Sequence, residues 1–342
     1  MSNIIFEELD PLFETIGLLI AINQKETSKK ETLKFLDDLG FDSEKFYAKN
    51  LKIFDNYVNT FKKHSVLNKD YEFFFEDSDP RFIILLVVLL IENKEYLAVI
   101  DEIDNGQINK KIIEIFKSLF EFETSIEKTE TLEDIVAFLD MTSIEKDVKW
   151  KIMCLMQSPK VYLKQLISIT NSNMDAFEKA KKAVEPKLVE LMSKYHELIA
   201  CENKEQFFKI KTSISETSDI YPTLALPLSQ LVFEKTSYYG LLSSLILKDE
   251  NRSQSKDEII QGLKALSDKS KLEILSSLKV SPKYNLEIAE QLGLTAATMS
   301  HHMSVLLSCG FVGINKQAGR VYYHIEEDSI RRFISSLEKT LL

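Results

Sequence analysis

From Thr295 to Ser308 the chain reads TAATMSHHMSVLLS, without one Lys, Arg, Asp or Glu. On a helical wheel Met299, Met303 and Leu306, at i, i+4 and i+7, share one side and should face a core. Ala297, Ser300, His301 and Ser304 share the other side, with Thr298 at its edge. These side chains are small or able to hydrogen-bond. They suit a helix that brings its backbone into a DNA major groove about 12 Å wide and bonds base edges there. A neutral surface for another protein would use the same residues, and that alternative stays open. Shortly after, Lys316-Gln317-Ala318-Gly319-Arg320 sets positive charge on both sides of a turn, which suits phosphate or minor-groove contact.

The elements that would position these groups follow from local signals. Glu258–Leu266 carries Ile259, Leu263 and Leu266 at helical spacing. Asp268 occupies an N-cap position before Lys269–Leu278, where Leu272, Leu275 and Leu278 make another stripe. Asn285 can cap Leu286–Leu292, Gly293 suits a left-handed turn, and Thr295 can cap a helix that Gly310 stops. Phe311–Asn315 and Arg320–Ile325 then read as two strands of a ribbon. The last helix, Asp328–Leu341, shows an apolar stripe of Ile330, Phe333, Ile334, Leu337 and Leu341, longer than a small domain needs for itself. It could cover a second copy or pack within the chain.

Charge is divided unevenly: residues 251–342 carry 12 Lys and Arg against 10 Asp and Glu, the preceding 250 residues 31 against 43. The acidic whole, at −10, argues against a non-specific nucleic-acid coat but leaves room for a reader with one small basic face. No secretory leader is expected at Met1–Asp10. The most apolar run, Phe82–Ile91, falls far short of the roughly 20 residues of a membrane span, and is expected as a helix buried on all sides. Cys154, Cys201 and Cys309 are widely spaced, so a reducing cytoplasm is the expected setting.

Before a polar linker at Lys248–Lys256, helices are predicted at Leu9–Asn23, Ser43–Lys63, Pro80–Asn93, Asn109–Phe122, Leu132–Leu139, Ile144–Met156 and Met174–Cys201. Pro186 should kink or split the last of these. Gln230–Phe233 and Tyr238–Leu247 suggest a β-hairpin, and Ile4–Phe6 could add a strand. This region has two histidines, His64 and His196, and no phosphate loop, nucleophile elbow, zinc-helix or dinucleotide motif. Glu76-Asp77 and Asp101-Glu102 read as solvated faces. Phe73–Phe75 and Phe207-Phe208 read as core, although an effector pocket would use the same residues.

Residues 258–330 resemble the winged-helix domain of the ArsR/SmtB family of bacterial repressors. The likeness rests on LKALSDKSKLEIL, EIAEQLGLTAATMSHHMSVL, CGFV and GRVYYHI. It implies that Ala296, Ala297, Thr298, Ser300 and His301 lie where that family touches DNA, with Lys316, Gln317 and Arg320 in its wing. It also implies that the last helix pairs with Glu258–Leu266, including Ile259 and Leu263, as a dimer seam. Two departures stand out. Lys271 takes the place of the family's usual Arg and loses its planar fork. The cysteine and histidine sets of the family's metal sensors are missing, since Tyr284–Ile288 has no Cys and the last helix no His. That argues against metal sensing. The segments IIFEELDPLFETIGLL and YPTLALPLSQLVFEKTSYYGLL resemble a poorly characterised N-terminal domain on such regulators in Gram-positive bacteria.

The expected fold is mainly α with small β: a large helical domain over 1–248, a linker over 249–256, and a winged helix-turn-helix over 257–342. The expected function is that of a cytoplasmic, homodimeric repressor on inverted-repeat double-stranded DNA. It would be reset by an unknown small-molecule or protein effector of the N-terminal region, with no cofactor, metal or membrane partner. Thr295, Ala296, Ala297, Thr298, Ser300, His301, Ser304, Lys316, Gln317 and Arg320 would meet the duplex. Two other classes remain: a protein-interaction scaffold using the winged helix as a contact module, and an N-terminal enzyme with a DNA-binding tail.

Overall fold

The structure is a computed structural model that describes residues 8–23, 25–75, 80–119, 131–142, 144–199, 219–246, 256–317 and 320–342. Among the described residues, twelve helices come first: α1 (Pro11–Asn23), α2 (Lys25–Asp38), α3 (Ser43–Asn50), α4 (Lys52–His64), α5 (Lys69–Phe75), α6 (Pro80–Ile91), α7 (Tyr96–Val99), α8 (Asn105–Leu119), α9 (Leu132–Asp140), α10 (Lys146–Gln157), α11 (Pro159–Ser172) and α12 (Met174–Ile199). Strands β1 (Asp219–Thr223), β2 (Gln230–Val232) and β3 (Thr236–Gly240) follow. The C-terminal part contains α13 (Lys256–Ser267), α14 (Lys269–Val280), β4 (Lys283–Tyr284), α15 (Asn285–Leu292), α16 (Ala296–Ser308), β5 (Val312–Gln317), β6 (Arg320–Ile325) and α17 (Glu327–Leu341). Helix thus dominates, with two small sheets, as the composition and patterning suggest. Ile4–Phe6, Glu76-Asp77, Phe207-Phe208 and most of the predicted linker lie outside the described residues.

Two compact units emerge, and they interleave along the chain. One comprises residues 10–23 and 56–184; the other comprises 1–9, 24–55 and 185–342. The first is a helical assembly in which α6 packs against α1, α8 and α10. Its run FIILLVVLLI is buried except for Ile84, because a helix apolar all round finds partners on nearly every side. Inside this unit the fully buried Glu14 accepts a hydrogen bond from the Tyr57 hydroxyl at 2.8 Å. Burial, then the Glu14 charge, pushes the Tyr57 hydroxyl well above the ordinary tyrosine range. Asn173 joins the α4–α5 loop to the end of α11: its side chain accepts from Val66 N–H at 2.8 Å and donates to the carbonyls of Val66 and Ile169.

Several local predictions need correction. The stretch Ser43–Lys63 is two helices, broken at Leu51, a buried residue with φ −98° and ψ 3°. Helix α12 runs unbroken through Pro186. The proline removes one backbone donor, and nearby the Asn56 amide donates to the Ala183 carbonyl at 3.4 Å. The predicted hairpin exists as β2 antiparallel to β3, but β1 also pairs with β3, in parallel, so the sheet order is β1-β3-β2. In α13 and α14, Leu263 and Leu272 point outward, while Ile259, Ala265, Ile274, Leu275 and Leu278 are buried.

The C-terminal helices fold around a second sheet of order β4-β6-β5. The ribbon is therefore three-stranded, through Lys283 and Tyr284 pairing with Tyr323 and Tyr322. Phe333 of α17 is 2% exposed and sits edge-on to buried Phe311 with ring centroids 5.1 Å apart. Opposite it on α13 is Gly262, where a Cβ would fall 2.3 Å from a Phe333 ring carbon. The two helices cross this closely because position 262 has no side chain.

Candidate nucleic-acid interface

Helix α16 is fixed at its start by Thr295, whose hydroxyl accepts from Thr298 N–H at 3.1 Å. The preceding turn is made by Gly293 in the left-handed conformation, φ 64°. Asn285 does not cap α15: Tyr284 is the cap residue, and its side chain does not bond the helix N-terminus. Instead the Asn285 amide donates to Ser300 Oγ at 3.3 Å, tying the two helices together. This change has a local cause, since the chain enters α15 directly from β4.

The wheel sorts α16 as the sequence suggests. Met299, Met303 and Leu306 are each 0–1% exposed, and Thr298, Ser300 and Ser304 are exposed. Nothing charged lies on that exposed side of the helix itself. Backbone positions of Ala296 and Ala297 begin the helix, but their side chains lie outside the described residues. His301 is half-buried, and its Nε2 is hydrogen-bonded to Asp38 Oδ2 of α2. Phe35, one turn earlier on α2, sits edge-on to the His301 ring at 6.5 Å. No sequence signal marks Phe35 or Asp38, because the partners are 263 residues apart in the chain.

His302, next to it, points inward and is buried. Its Nδ1 has no hydrogen-bond partner among the described residues. Burial holds its pKa below the ordinary histidine value, with the positive charge of Lys271 as the second cause. Lys271 is itself 5% exposed, with Nζ 3.8 Å from Asp268 Oδ2. Asp268 caps α14 through the Lys271 amide at 2.9 Å. Burial pushes the Asp268 carboxyl up, but the Lys271 amide and charge outweigh it and leave the pKa lowered.

The wing is an antiparallel ribbon in which Lys316 faces Val321 and Gln317 faces Arg320. That register brings Lys316, Gln317 and Arg320 together at one end of the hairpin. Their side chains and residues 318–319 lie outside the described residues. At the opposite end of the strands, His324 Nε2 is 3.2 Å from Glu326 Oε1. Of the expected dimer seam, Ile259 and Phe333 are buried within the chain, Ile330 and Leu337 are partly covered, and Leu263, Ile334 and Leu341 are 42%, 56% and 73% exposed. Among the described residues, no cluster of three or more His, Cys, Asp or Glu could hold a metal, and no helix is long and apolar enough to cross a membrane.

Residues 268–313, which span α14 to the first residues of β5, match the bacterial regulatory proteins described as the arsR family. The chain is 33% identical over 91 residues to the uncharacterized HTH-type transcriptional regulator YceK of Bacillus subtilis, covering 26% of this chain and 91% of that protein. It is 30% identical over 79 residues to the HTH-type transcriptional regulators CmtR of Mycobacterium bovis and Mycobacterium tuberculosis, covering 23% of this chain and 67% of each relative. No solved structure matches the chain significantly.

Proposed function

We propose a function from the premise that the chain belongs to the arsR family of bacterial regulatory proteins and is a DNA-binding transcriptional regulator with a helix-turn-helix of that type. On our reading it is a cytoplasmic, dimeric repressor that recognises an inverted-repeat operator. Helix α16 enters the major groove, and Thr298, Ser300, His301 and Ser304 read base edges. The amides at the start of the helix, with Thr295, Ala296 and Ala297, meet phosphate. Lys316, Gln317 and Arg320 steady the neighbouring backbone or minor groove. The exposed Leu263, Ile334 and Leu341, with the partly covered Ile330 and Leu337, join two copies so that the reading helices stand about 34 Å apart. An effector held by the N-terminal helices would favour a dimer geometry that mis-spaces them.

The observation that carries this reading is the two-sided character of α16: three apolar side chains buried beneath it, and an exposed, uncharged, hydrogen-bonding edge above. The test is selection of bound fragments from the native genome by the purified full chain. The enriched duplex is then titrated against S300A and against K316A/R320A at several salt concentrations. S300A should weaken binding and flatten sequence preference. The double wing variant should reduce the slope of log affinity against log salt by about 1.8, or about 0.9 for each phosphate no longer neutralised. Unchanged affinity in S300A and an unchanged slope in the wing variant would remove the reading.

A further inference from the structure

The neutral edge of α16 is only partly open. One of its proposed reading residues, His301, is hydrogen-bonded through Nε2 to Asp38 at the end of α2, and Phe35 makes a T-shaped contact with the ring at 6.5 Å. The neighbouring Asp37 is exposed. Helix α2 is no loose tail. Leu36 and Leu39 are 0% and 2% exposed, and the corner that follows is seated on α13, where a Cβ on Gly40 would stand 3.0 Å from Gln261 Cγ.

We infer that α2 is a built-in competitor of DNA: Asp38 holds His301 off the duplex, and binding requires the Asp38–His301 pair to part. This rests on the reading of α16 as the recognition helix. Two physical facts support it. A helix with its side chains is about 10–12 Å across and fills a major groove about 12 Å wide, so the end of a second helix cannot remain at His301. The duplex also carries one negative charge per about 1.7 Å of its axis, and the Asp38 carboxylate at His301 is repelled by it. The pair and the complex are therefore alternatives in one equilibrium, and whatever steadies α2 on α16 lowers the apparent affinity for DNA. The covalent route for such control is short. Helix α2 follows directly on residues 10–23, and the chain re-enters the other compact unit at residue 56.

The experiment uses the full chain and the duplex that the wild-type protein enriches from a random-sequence pool. D38N keeps the shape of the side chain and removes its charge; H301A removes the group it holds. D38N should bind about tenfold more tightly than wild type, the scale of a hydrogen bond to a charged group, and H301A should bind more weakly. In the wild-type protein, adding the duplex should speed amide exchange in residues 25–38. If H301A weakens binding but D38N binds as wild type or less tightly, Asp38 is neutral or orients His301 for DNA, and the competition idea is overturned while the recognition helix stands. If H301A, S300A and D38N all bind as wild type, the assignment of the reading face falls and takes the inference with it. Unchanged exchange in residues 25–38 on saturation with duplex overturns the inference whatever the variants do.

Discussion

Substituting Gly262 by Ala tests how tightly the C-terminal helices are locked. The new Cβ would lie 2.3, 2.8 and 2.9 Å from three ring carbons of Phe333. Ordinary carbon contacts are about 3.5–4.0 Å, so the ring or the helix must retreat by about 1 Å. The ring has little room, being 2% exposed and braced edge-on by Phe311. Overpacking of this kind costs about 1–3 kcal/mol, and Ala returns about 1 kcal/mol of helix propensity over Gly. With a clash this deep the net should be a loss of about 1–2 kcal/mol. A chain of two units need not unfold in one step, so the measurement should be local. In amide exchange followed by mass spectrometry, peptides from α13 and α17 should exchange about tenfold faster in G262A, while α1 and α6 stay as in wild type. Adding F333L, which removes the offending ring edge, should leave the double variant less impaired than the two single losses summed. Protection in G262A equal to or above wild type would show that helix propensity wins and that the close crossing carries no weight.

Two other outcomes follow from buried polar groups. His302 has its pKa held down by burial and then by Lys271, so the folded state favours the neutral ring. Its stabilising contribution should be complete above the ordinary histidine value of about 6.5 and should be lost as pH falls towards the lower folded value. Protection of α14 and α16 should accordingly fall below about pH 6.5 in wild type and show a flatter dependence in H302Q; equal slopes would exclude His302 as the cause. In the other unit, N173A removes three hydrogen bonds to Val66 and Ile169. At about 0.5–1.5 kcal/mol net per hydrogen bond lost, it should speed exchange at Val66 and lower the melting temperature; wild-type values for both would refute the bridging role.

Local chemistry made the C-terminal part legible in advance. Gly293, Thr295 and Asp268 act within a few residues of themselves, and each does in the structure what its type and position suggest. Met299, Met303 and Leu306 are likewise fixed by periodicity alone. The misses have a different origin. Asn285 looks like a cap, but β4 runs straight into the helix and frees its amide for Ser300. Pro186 reads as a break, yet the helix continues with a neighbouring carbonyl taken by Asn56, a residue far away in sequence. Leu51 ends a helix without any Gly or Pro to announce it. The Asp38–His301 pair belongs to the same class: neither residue says anything about the other until the chain is folded.

The interleaving of the two units also has a bearing on how the protein comes to be made. Asp38 leaves the ribosome 263 residues before His301. At about 5–20 residues per second, that is a wait of roughly 13–53 s. During it Phe35 lacks the His301 ring that it later meets, while residues 56–184, which form most of the other unit, are already made. The final docking is thus a late, long-range event in biosynthesis, and newly translated chains should pass through a stage in which the winged helix exists before the Asp38–His301 pair has formed.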